Sequence, residues 1–135
     1  GWRGRSMSLG IADAVTVLAK SAADADVAAT LIANEVNVDF PGIEKRPASE
    51  VKDESDLGMI PVTVHVPDLP EDKISTALER GANTARKFIK AGKITAAYLS
   101  LQKQTLVIDN NLAAAVNSCN SRESGNPETC KYLKK

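Results

Sequence analysis

The chain has 135 residues, and its 17 Lys plus Arg are balanced by 17 Asp plus Glu. Zero net charge excludes a global basic field that would draw nucleic acid or anionic lipid, and an aromatic content of 4% argues against a base-stacking surface. Hydrophobic residues at 43% and charged residues at 25% describe a folded chain with one modest core.

The N-terminal run Gly1-Trp2-Arg3-Gly4-Arg5 carries two arginines with no apolar stretch behind them, so it is not a secretory signal. No apolar run approaches the roughly 18 residues of a membrane span. The chain lacks an initiator Met, and strand-like sequence follows Met7 almost at once. The expectation is the C-terminal part of a larger protein, with a purification remnant as the alternative source of the first residues. The cytoplasm is the default compartment.

Ile11 to Ala19 is nearly all apolar and reads as a strand buried on both faces, interrupted by Asp13. Ser21 stands at a helix N-cap position, where its hydroxyl takes up a free backbone N–H. Ala22 to Val36 is then a helix, with Asp24 and Asp26 favoured by the positive end of the helix dipole. Ala23, Val27, Thr30, Leu31 and Asn34 recur along it at helical spacing. Asn37 to Leu57 reads as a polar surface connection with one short helical turn from Ser49.

Met59 to Val66 is the next strand, with Val62, Val64 and Val66 on one face and Thr63 and His65 on the other. Pro61 lacks an N–H and belongs at a strand start or an edge. Glu71 to Ala91 carries the clearest helical pattern, an apolar stripe of Ile74, Ala77, Leu78, Gly81, Ala85 and Phe88. Acidic residues open it, basic residues close it, and Gly92 is a natural residue just past its end. Gly81 costs about 1 kcal/mol against Ala in a helix, so close packing is its expected compensation. Ile94 to Leu101 and Thr105 to Ile108 form a hairpin around Gln102-Lys103-Gln104. Beyond Asp109 the apolar pattern fails. A disordered tail is expected over 110–135, with a short helical piece at most from Leu112 to Val116.

The fold class is therefore α+β, a mixed sheet with two helices on one face. A first strand buried on both faces requires a partner layer. Expected partners are accordingly the missing N-terminal half of the same protein or a second copy of the chain in a homo-oligomer, with no nucleic acid and no membrane.

Asp26 and Thr30 are the first candidate site. Their i, i+4 spacing puts a carboxylate and a hydroxyl on one helix face, and both are hard oxygen donors suited to a metal such as Mg²⁺ or Ca²⁺. Dipole compensation by Asp26 and simple packing of Thr30 is the competing reading. The second candidate is the loop from Gly4 to Gly10. There Ser6 and Ser8, flanked by glycines, bring hydroxyls and backbone N–H groups near an anion, or else form a plain turn. Asp13 needs a partner inside its apolar strand: Arg3, Arg5, a helix end or a ligand. Cys119 and Cys130 make neither a disulfide framework nor a zinc site, since the single histidine, His65, supplies no further ligands. No nucleophile and base set can be assembled.

Gly-Arg-Ser-Met-Ser-Leu-Gly-Ile-Ala-Asp-Ala-Val-Thr-Val-Leu-Ala (4–19) and Ser-Ala-Ala-Asp-Ala-Asp-Val-Ala-Ala-Thr-Leu-Ile-Ala-Asn (21–34) resemble an uncharacterised bacterial and archaeal family. That family is distantly related to the ApbE flavin transferases. The resemblance continues to Leu-Gln-Lys-Gln-Thr-Leu-Val-Ile (101–108), and so covers about residues 1–109. It implies the C-terminal half of an ApbE-like fold, with Asp26 and Thr30 holding Mg²⁺ and with Ser6, Ser8 and Asp13 contacting FAD. The His-x-x-Asp-Pro stretch of the ApbE enzymes is absent; Leu9-Gly10-Ile11-Ala12-Asp13 stands in its place. The function so implied is a fragment of an FMN transferase or FAD-binding protein, inactive alone and with no tight cofactor of its own. A non-catalytic ligand-binding or structural protein on the same fold is the alternative.

Overall fold

The apolar stripe along Glu71–Lys90 makes this segment, helix α3, the centre of the core: Ile74, Ala77, Leu78, Gly81, Ala82 and Ala85 are all buried. Its end is closed in the manner expected from Gly92, which takes a φ of 70°. Gly92 N–H donates to Ile89 O at 2.9 Å and Lys93 N–H to Phe88 O at 3.0 Å, the paired bonds that satisfy orphan carbonyls at a helix C-terminus. The structure, a computed structural model, describes residues 1–4, 6–52, 55–110 and 115–118.

Helix α1 (Ala22–Glu35) starts as its sequence requires, with Ser21 Oγ accepting from Asp24 N at 3.1 Å. Its packed face is Ala28, Ile32 and Ala33. Val27 and Leu31 lie outside, 57% and 44% exposed. α1 is apolar on more than one side, so spacing by itself left the choice of face open.

Strand β1 (Ala14–Leu18) pairs antiparallel with β4 (Ala96–Leu101), which forms a hairpin with β5 (Gln104–Asp109). β6 (Ala115–Ser118) completes the sheet in the order β1-β4-β5-β6. Ala115 and Val116, the end of the helical piece expected from Leu112 to Val116, thus lie in a strand. Residues 111–114 and 119–135 of the expected tail, with Cys119 and Cys130, lie outside the described residues.

β2 (Glu44–Pro47) and β3 (Pro61–His65) form a separate antiparallel pair, with the short helix α2 (Ala48–Val51) between them. The architecture is α+β, with two small antiparallel sheets and three helices among the described residues. The expectation of one mixed sheet is corrected, because β3 turns away to pair with β2 and joins no strand of the larger sheet. β2 falls within the stretch whose sequence reads as a polar surface connection, since Glu44-Lys45-Arg46 is charged and shows no apolar alternation. The helical turn expected from Ser49 is α2. Pro47 faces Pro61 across the pair, a position open to proline because each strand of a two-stranded sheet is an edge.

α1 packs on β1, and α3 on β4 and β5. They cover the sheet face carrying Ala97, Leu99, Leu101, Leu106 and Ile108, all buried. β1 is not buried on both faces. Val15 and Val17 pack against the core, whereas Ala14, Thr16 and Leu18 are exposed, Leu18 by 61%. The buried Ile11 and Ala12 belong to the segment before the strand. The apolar run thus splits into a buried lead-in and a one-sided strand. No helix among the described residues is long and apolar enough to cross a membrane.

Gly81 is where α3, α1 and the sheet meet. A Cβ there would stand 2.4 Å from Val36 Cγ2 and 2.8 Å from Leu99 Cδ2. Both neighbours are fully buried and have nowhere to turn. In an exposed helix Gly→Ala stabilises by about 1 kcal/mol. Here Gly81→Ala is expected to destabilise by about 1–3 kcal/mol, because overpacking outweighs propensity. Urea denaturation of the wild type and this variant measures the sign.

Candidate functional site

The segment 6–10 crosses beside α1 and is tied on every side. Leu9 N–H donates to Asn34 Oδ1 at 3.1 Å, and Ile11 N–H to Val36 O at 2.8 Å. Leu9 O accepts from Lys45 Nζ at 2.8 Å and from Thr63 Oγ1 at 3.4 Å, and Ser8 O accepts from Thr63 N–H at 2.9 Å. This contact explains why Thr63 is buried although its strand neighbour His65 is exposed. Gly10 permits the crossing, since a Cβ there would meet Ala33 O at 2.0 Å and Val36 O at 2.7 Å.

Between this strap and α1 lies a pocket of about 150 Å³. Asp26, Ala29, Thr30, Ala33 and Asn34 line its helical wall, and Gly1, Ser6, Met7, Ser8 and Val15 line the other. The helical wall follows i, i+3, i+4, i+7 and i+8, one face of α1. The expected pair Asp26 and Thr30 therefore shares a face and a pocket, and both residues are exposed. Ser6 and Ser8 are brought to the same place. Ser6 is exposed; Ser8 is buried, and its Oγ accepts from Gly10 N–H at 3.2 Å. Asn34, passed over as a mere member of a helical stripe, both holds the strap through Oδ1 and faces the pocket. Its spacing, i+4 beyond Thr30, was the available signal. Arg5 lies outside the described residues.

Asp13 stands apart from this pocket. Its Oδ2 accepts from Gln102 N–H at the tip of the β4–β5 hairpin. Arg3 Nε lies 3.8 Å from its Oδ1, so one of the partners expected from the sequence is present. Gln102 has φ 50°, a conformation that L residues seldom adopt. Three bonds hold it there: the one to Asp13, one from Leu69 N–H to its Oε1 at 3.1 Å, and one from its Nε2 to Pro67 O at 2.7 Å. Asp13 thereby fixes the hairpin to the lead-in of β1.

The chemistry of the pocket is that of hydrogen bonding around one negative charge. Asp26 accepts, the hydroxyls of Ser6, Ser8 and Thr30 both donate and accept, and the Asn34 amide donates. A carboxylate facing the serine loop opposes a bare anion there. Among the described residues no group of three or more His, Cys, Asp or Glu gathers to hold a metal ion.

Replacing Asp13 tests its role in holding the hairpin. Asp13→Ala leaves Gln102 N–H without its acceptor and is expected to cost about 1–3 kcal/mol. Asp13→Asn keeps an acceptor oxygen and should retain most of the stability, as read from chemical denaturation midpoints.

No curated protein and no solved structure matches the chain. The family described as AbpE bacteria matches residues 1–110. It is a different family from the ApbE flavin transferases, so the resemblance read from residues 4–34 is corrected. With it goes the support for an ApbE-like fold and for assigning flavin, FMN transfer or magnesium to this chain. By the match over 1–110, the chain belongs to the AbpE bacteria family.

Proposed function

We propose that the chain is a non-catalytic ligand-binding domain, and that the pocket between the strap and α1 takes a small cationic ligand with hydroxyl groups, of the size of a short amino alcohol. One observation carries the reading. Four side chains singled out by residue chemistry, Ser6, Ser8, Asp26 and Thr30, line one pocket together with Asn34. Its volume of about 150 Å³ lies below the roughly 300–1,000 Å³ of sites for drug-sized ligands, which favours a ligand of few atoms. Asp26 would meet the positive charge, and the serine and threonine hydroxyls the hydroxyl group. One carboxylate among hydroxyls is a binding set; the described lining includes no histidine and no second carboxylate for acid–base work.

A hard cation is the second reading, favoured by the i, i+4 placement of Asp26 and Thr30 on the pocket wall. Water would complete most of its coordination shell.

Heteronuclear NMR titration with ethanolamine tests the proposal. Saturable shifts are expected at the amides of 6–8 and 26–34. Asp26→Asn should weaken binding by roughly tenfold, the scale of one charge-assisted hydrogen bond. Calcium that displaces ethanolamine from the same amides selects the cation reading. Shifts that never saturate, or that ignore Asp26→Asn, refute both.

A further inference from the structure

We propose that a second pocket, walled by residues 37–43, β2 and α3, is a binding site for an organic anion with an apolar body. The pocket has a volume of about 480 Å³, within the roughly 300–1,000 Å³ typical of small-molecule sites. Val38, Phe40 and Ile43 form its apolar side. Val38 is buried, and Phe40 and Ile43 pack against the core, which fixes them as a wall.

Lys45 and Arg80 supply the charge from β2 and from the long helix α3, so both cations stand on regular elements. Each is only partly used. Lys45 Nζ donates to Leu9 O at 2.8 Å, and Arg80 Nη1 donates to Asn37 O at 3.3 Å. An ammonium has three donors and a guanidinium five, so most of their N–H groups remain available. Among the described residues the ion pairs are Arg3–Asp13, Arg46–Glu44 and Arg86–Glu79. Neither Lys45 nor Arg80 is in one, although Asp39 lines the same pocket. Arg86, by contrast, is engaged by Glu79 at 2.6 Å and Asn83 at 2.8 Å. Two cations without a carboxylate partner among the described residues, beside an apolar wall, suit a carboxylate or phosphate group on an aromatic or alkyl body. The anion would bridge Lys45 and Arg80, and the body would lie on Phe40 and Ile43.

Asp39 makes the test depend on sign. It opposes an anion in this pocket and would help a cation. The experiment is isothermal and NMR titration of the chain with benzoate, phenyl phosphate, inorganic phosphate and benzyl alcohol. Benzoate or phenyl phosphate should bind with amide shifts at 38–45 and 80, and the tighter of the two identifies the anionic group. Inorganic phosphate and benzyl alcohol, each lacking one half of the recognised chemistry, should bind more weakly. Arg80→Gln should weaken the tighter anion by roughly tenfold, and Asp39→Asn should strengthen it by several-fold. Lys45→Gln also removes the contact to Leu9, so Arg80→Gln, whose fold is checked by its melting curve, decides the matter. Equal binding of benzyl alcohol, indifference to Arg80→Gln in a folded variant, or weaker binding by Asp39→Asn overturns the proposal.

Discussion

Everything in this fold is arranged around the absence of one side chain. At Gly81 the backbone of α3 comes so close to Val36 and Leu99 that no Cβ fits between them. That approach seats α3 on β4 and brings the end of α1 into the same core, where Ile32, Val36 and Leu99 are all fully buried. A glycine in mid-helix costs conformational entropy, and here tight packing of three elements offsets that cost. The helix propensity scale taken alone would mark Gly81 as a defect; the packing makes it a requirement.

A second close approach builds on the first. With α1 seated, Gly10 can lie against Ala33 O and Val36 O, and the strap 6–10 closes over the flank of the helix. Leu9 is its hub: its N–H is held by Asn34 of α1 and its carbonyl by Lys45 of β2. Asn34 lines the smaller pocket and Lys45 the larger. The two pockets thus share a backbone support although they are of opposite electrostatic character. Asp26 dominates one, Lys45 and Arg80 the other.

Among the described residues, no helix lies on the outer face of the larger sheet. Leu18, Tyr98 and Val107 are exposed there, and Val27 and Leu31 are exposed on α1. The buried face satisfies the packing needs of α1 and α3 without these residues. The apolar content of β1 is therefore divided between core and surface.

Local chemistry was legible wherever a residue acts on its own near neighbours. Ser21 as an N-cap, the carboxylates opening α3, Gly92 closing it and the β4–β5 hairpin all follow from turn and helix chemistry over a few positions. The face shared by Asp26 and Thr30 was legible for the same reason, since helical period places i and i+4 together. Other features depended on partners distant in sequence. β2 exists because Glu44–Pro47 finds β3, and no apolar alternation announces it. Asp13 holds Gln102 at a sequence separation of 89, a contact that spacing cannot encode. The choice between the Ile32 face and the Leu31 face of α1 lay with the rest of the core, because both faces are apolar. The sequence by itself determined α1, α3 and the α+β class, for these are set by interactions within a few residues. Only the tertiary structure decided the strand pairing, the buried face of α1 and the assembly of both pockets, because these depend on which distant surfaces can approach without leaving a gap or a clash.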